Sequence, residues 1–115
     1  MGGTSSNLPQ LSTTEVTSKL QDPKYLFIDV RGASELAGGK LEAKRFLNIP
    51  HTQIAAEFKR SEEEFKSAYM MDKPSKDAHI IIYCQRGRRG GMAQDAMAEL
   101  GYENVYNWEN GYSSL

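Results

Sequence analysis

Three short apolar and aromatic runs, YLFIDV at 25–30, RFLNIP at 45–50 and HIIIYC at 79–84, constrain the fold more than any other feature of the chain. Each is of strand length and shows little alternation of apolar with polar positions, the pattern of a strand covered on both faces. Such a sheet needs helices between its strands, and the intervening segments supply them. LSTTEVTSKL offers Ser12 as an N-cap with Glu15 three residues on, a capping box, and then Val16 and Leu20 at helical spacing. The helix is predicted to run to about Leu20, where Gln21-Asp22-Pro23 stops it. HTQIAAEF and SEEEFKSAYM read as two further helices, the second with Ser61 and Glu64 as a capping box and Phe65, Ala68 and Tyr69 as its apolar face. GMAQDAMAELGY is the strongest helical pattern, with Met92, Ala93, Ala96, Met97 and Leu100 on one side and Gly101 placed to end it. NVYNW is predicted to be a last strand. Strands alternating with helices on short connections imply an α/β fold with a mainly parallel central sheet flanked by helices on both faces.

The chain has 115 residues, 39% of them hydrophobic and 25% charged, which suits one domain. That domain is expected over 11–115, behind a flexible N-terminal tail at 1–10. A net charge of −1 gives no global basic field to draw the protein to nucleic acid or to an anionic membrane. Cys84 is the only cysteine, so no intramolecular disulfide is possible, and no charged-then-apolar leader opens the chain. A reducing, cytoplasmic setting is therefore expected. No apolar run approaches the roughly 18 residues of a membrane span. MGGTSS fits the loose myristoylation pattern at Gly2, as an unstructured tail also would; a single acyl chain holds a membrane only marginally, so no stable membrane association is expected. His51 and His79 lie far apart and make no zinc spacing with one cysteine, so neither metal nor organic cofactor is expected.

Chemistry concentrates after the third run. Cys84 is followed within seven positions by three arginines and three glycines, in CQRGRRGG. A thiol attacks as its thiolate, so a reactive cysteine needs surroundings that favour the anion. The position between a buried strand and the N-terminus of a strong helix provides unpaired N–H groups and a favourable dipole. Gly87, Gly90 and Gly91 would let the connection curl so that successive N–H groups form an anion nest. Arg86, Arg88 and Arg89 add forked donors suited to oxyanions. In parallel sheets ligands sit beyond the C-terminal strand ends, which singles out this loop and Asp29-Val30-Arg31 at the end of the first run.

The order IDVR, NIP, IIIYCQRGRRG opening a helix, and LGYENVYNWENG resembles the rhodanese domain across almost everything after residue 10. CQRGRRG looks most like the loop of short single-domain thiosulfate sulfurtransferases that pass sulfur to glutathione. The resemblance implies a Cys84 persulfide, filled from thiosulfate or a related donor and emptied by a thiol such as glutathione or thioredoxin, or by cyanide. It places Gln85, Arg86, Gly87, Arg88, Arg89 and Gly90 around the substrate, with Asp29 and Arg31 as supports for that side of the sheet.

The chain departs from the family in GGKLEAKRFLNIP, where GHIPGA before NIP is usual, and in Asn110-Gly111, where a glycine pair is usual. An early C-terminus leaves a terminal helix expected to be short or absent. Two rivals arise. A cysteine-dependent phosphatase places arginine after five intervening residues, where this chain has Gly90, and commonly histidine before the cysteine, where it has Tyr83. A non-catalytic binding module of the same fold often lacks the loop cysteine, which is present here.

Overall fold

In a computed structural model, which describes residues 8–115, five parallel strands form one sheet. They are β1 (Gln10–Leu11), β2 (Tyr25–Asp29), β3 (Phe46–Asn48), β4 (His79–Tyr83) and β5 (Asn104–Trp108), lying side by side as β1-β5-β4-β2-β3. The helices are α1 (Thr13–Thr17), α2 (Ile54–Glu57), α3 (Glu62–Tyr69) and α4 (Arg88–Glu99), with 3₁₀ turns at Ala33–Gly38, His51–Gln53 and Tyr112–Ser114. The last of these stands where a terminal helix was expected to be short or absent. The Gly2 pattern lies outside the described residues. No helix among the described residues is long and apolar enough to cross a membrane.

β4 is central, and Ile80, Ile81 and Ile82 are wholly buried. Alternation sends Ile80 and Ile82 to one face, where with Leu26 and Ile28 they meet Ile54, Phe58, Phe65, Ala93 and Met97 from the α2, α3 and α4 side. Ile81 points the other way with Phe27 and Tyr83, onto Val16 of α1, Leu41 and Trp108. Burying each such side chain contributes about 1.5–3 kcal/mol, so three neighbouring isoleucines fix both layers at once. Both capping boxes form: Ser12 and Ser61 each accept from the backbone N–H three residues on, and Glu15 and Glu64 reach back.

Several expectations change in the structure. α1 ends at Thr17, short of Leu20, because Leu20 instead packs from a turn against the Val16 layer. β1 is a two-residue edge strand that no sequence pattern announced, and it takes in Gln10 from the expected tail. α4 starts at Arg88, so Arg88, Arg89 and Gly90 form its first turn and are not loop residues. Its buried stripe is Gly90, Ala93, Gln94 and Met97, while Met92 is 53% exposed. The packed face rotates because a polar residue can occupy it: the Gln94 amide donates to Val105 O and Pro9 O. On α3, Phe65 is buried but Ala68 is exposed, so the apolar face is narrower than predicted.

Candidate active site

The chain runs outward from β2 to β3, then crosses back to lay β4 on the other side of β2. The C-terminal ends of β2 and β4 therefore flank the point where the sheet changes direction, the place where α/β sheets bind ligands. Asp29 ends β2 there, and Cys84 follows β4.

Cys84 is 1% exposed, and its sulfur accepts backbone N–H groups from Gly87 at 3.0 Å and Gly90 at 3.2 Å. Gly87 has φ 104°, a left-handed conformation that favours glycine, and it is this twist that turns the loop back over the sulfur as α4 begins. A side chain at Gly87 would also run into the Glu109 carbonyl. Two N–H groups aimed at one sulfur, at the start of a twelve-residue helix, make a cradle for negative charge. The C-terminal turn closes over the outside of the loop: Tyr112 N donates to Cys84 O and Ser113 N to Gln85 O, both at 2.9 Å.

The sequence-predicted residues that follow Cys84 divide into three groups. Gly87 and Gly90 hold the sulfur. Arg86 and Arg88 are exposed beside a cleft of about 270 Å³ lined by Cys84, Gln85, Arg86, Arg88 and Arg89, and among the described residues neither makes an ion pair. Gln85 and Arg89 line the same cleft but already have protein partners. The Gln85 Oε1 accepts from Arg31 at 3.1 Å, and Arg89 grips Glu35 with two hydrogen bonds of 2.7 and 3.0 Å.

Asp29 and Arg31 are 0% and 2% exposed, so they are not a solvent-facing pair. Arg31 donates to both carboxylate oxygens of Asp29, to Gly39 O and to Gln85, with its guanidinium 4.6 Å from the centre of the Tyr112 ring. The Asp29 hydrogen bonds push the Arg31 pKa further up, against the opposing effect of burial. Hydrogen bonds from Arg89 hold the Glu35 carboxyl down at about 2, assisted by Gly32 N–H and by the charges of Arg89 and Arg31. Burial pushes the Tyr83 hydroxyl up, and its oxygen accepts from Leu41 N at 3.2 Å. Among the described residues no group of three or more His, Cys, Asp or Glu is placed to hold a metal ion.

Sequence reasoning passed over Glu35, Tyr112, Asn107 and Gln10. Glu35 had a signal, since it stands three residues after Gly32 in a capping arrangement. Asn107 had another, as a polar residue inside the apolar run NVYNW.

A thiol sunk at the end of a central parallel strand, with two backbone N–H groups aimed at its sulfur, is the centre of the candidate site of this α/β domain. The family model described as rhodanese-like domain matches residues 12–115, and the chain belongs to that family. The human thiosulfate:glutathione sulfurtransferase is 30% identical over 105 residues, covering 90% of each chain. The Saccharomyces cerevisiae thiosulfate:glutathione sulfurtransferase is 32% identical over 84 residues, covering 73% of this chain and 59% of the relative. A mitochondrial relative from Schizosaccharomyces pombe is 34% identical over 91 residues, and the chain spans 63% of its length. In structure, the human single-domain sulfurtransferase superposes with a TM-score of 0.82 at 28% identity, over 91% of this chain and 92% of that one.

Proposed function

We propose that the protein is a thiosulfate sulfurtransferase in which Cys84 carries the sulfur. The observation that bears most weight is the convergence of the Gly87 and Gly90 N–H groups on Sγ. The Cys84 thiolate attacks the outer sulfur of thiosulfate, a new S–S bond forms, and the old one breaks with its electron pair leaving on sulfite. The N–H cradle then holds the persulfide anion. An acceptor thiolate attacks the outer persulfide sulfur, takes it, and returns Cys84 as a thiolate, so no external oxidant or reductant is needed. Asp29 and Arg31 support the loop from behind.

Arg86 and Arg88, which have no carboxylate partner among the described residues, meet the donor dianion and the acceptor's charge, while Gln85 and Arg89 frame the cleft. Glutathione, which brings carboxylates with its thiol, fits that mouth better than a neutral thiol does. The names of the human and budding-yeast relatives support the same acceptor; cyanide and thioredoxin are alternatives to be assayed beside it. The reading requires a reducing compartment such as the cytoplasm, though the Schizosaccharomyces pombe relative is mitochondrial. At the position where a phosphatase would need arginine, Gly90 presents an N–H to the sulfur, which favours sulfur over phosphate chemistry.

Intact-protein mass spectrometry after incubation with thiosulfate tests the proposal. Wild type gains one sulfur atom, lost again on adding glutathione or cyanide, and Cys84→Ser gains none. A wild type that stays at its starting mass would make the domain a binding module.

A further inference from the structure

β5 is an apolar strand with one polar side chain in its buried part. Asn107 is 3% exposed, and its amide lies beneath the sulfur loop and the first turn of α4. Its Nδ2 donates to Gly87 O at 3.1 Å and to Gln10 Oε1 at 2.9 Å, which uses both amide hydrogens. Its Oδ1 has no hydrogen-bond partner, alone in this among buried side-chain N and O atoms of the described residues. That oxygen faces Gly90, where a Cβ would run into it. Both glycines whose N–H groups reach Cys84 therefore rest on the same amide.

An orphaned buried acceptor is unfavourable, and an apolar residue would avoid it. The amide is accounted for by its other end. Gly87, at φ 104°, has no side chain of its own to limit its conformations, so an outside donor on its carbonyl restrains the loop. The hold extends further: Gln10 Nε2 donates to Gln94 Oε1 at 3.0 Å, and Gln94 is wholly buried on α4. Gln94, Gln10 and Asn107 thus connect edge strand β1 to the loop that grips the sulfur.

We propose that Asn107 is a positioning residue for the sulfur cradle, and that Gln10 of β1 holds it in place. The effect on turnover rests on the sulfurtransferase reading; the effect on the cysteine does not. Asn107→Asp keeps the shape but removes both donors and sets a carboxylate against two carbonyl oxygens. Expected are a fall of about tenfold in kcat with thiosulfate, a KM changed less than twofold, and a weaker ultraviolet thiolate absorbance at neutral pH. Gln10→Leu, at an exposed edge, leaves the fold intact and lowers kcat by about two- to threefold, and the two changes combine less than additively. A folded Asn107→Asp with wild-type kcat and thiolate absorbance overturns the proposal. Where Asn107→Asp does not fold, Gln10→Leu decides, and wild-type kcat in that variant overturns it. Should wild type take no sulfur from thiosulfate, the sulfurtransferase reading fails, yet thiolate absorbance and the rate of Cys84 alkylation by iodoacetamide still decide whether Asn107 positions the cradle.

Discussion

The Arg31 guanidinium joins the end of β2 to the loop after Cys84. It neutralises the wholly buried Asp29 and, through the Gln85 side chain, restrains the residue next to Cys84. These roles separate by substitution. Arg31→Met leaves a buried carboxylate without its cation and should destabilise the protein by about 3–5 kcal/mol, seen as a lower urea midpoint. Pairing it with Asp29→Leu removes the stranded charge and should recover most of that stability, but not sulfur loading, because Gln85 remains unheld. Recovery of both would show that the pair has no bearing on the loop. At this scale the two N–H donors of the cradle, on Gly87 and Gly90, were legible in the glycines that follow Cys84, whereas Gly91, expected beside them, donates to Gly87 O instead. The burial of Asp29 and Arg31 was not legible, because their neighbours Gln85 and Tyr112 come from distant parts of the chain.

Among the elements, the 3₁₀ turn Ala33–Gly38 and α4 are joined by the Arg89–Glu35 pair, with side chains 32% and 36% exposed. Glu35 sits at about 2 in the folded protein against an ordinary value of 4.5. A carboxyl depressed by folding adds stability above its unfolded value and loses it as pH falls through the folded one. The contribution should therefore be complete above about pH 4.5 and gone near pH 2. Solvent screening at this exposure limits it to about 1 kcal/mol or less. Urea midpoints measured across that window should fall less steeply in Glu35→Gln than in wild type; parallel curves would mean the pair contributes nothing. The regular strands were legible as elements because apolar runs of strand length between capped helices admit few alternatives. β1 was not, since two residues carry no periodicity. The start of α4 was misplaced because glycines and arginines read as loop, whereas Gly91 N already bonds Gly87 O at 3.0 Å.

Across the whole molecule, the site is assembled from three segments far apart in the chain, at 29–39, 84–90 and 107–113, brought to one edge by the reversal of strand order at β2 and β4. The C-terminal segment closes it, and Gly111 is the point of closest approach. Its φ is 70°, and a Cβ there would lie 2.6 Å from Cys84 O and from the Gln85 carbonyl. Gly111→Ala should therefore be strained twice, by its backbone and by contact, and should cost more than the about 1 kcal/mol by which a compatible glycine-to-alanine change acts in the opposite direction. Gly38 is the matched control, since a Cβ there meets no atom within 4 Å and its φ lies outside the left-handed region. Gly38→Ala should leave the urea midpoint and sulfur loading close to wild type. Gly111→Ala should lower both, because displacing the turn withdraws the Tyr112 and Ser113 N–H groups from the loop that holds Cys84. If the two variants behave alike, the C-terminal turn is only a cover, and the loop keeps its shape through Arg31 and Asn107 alone.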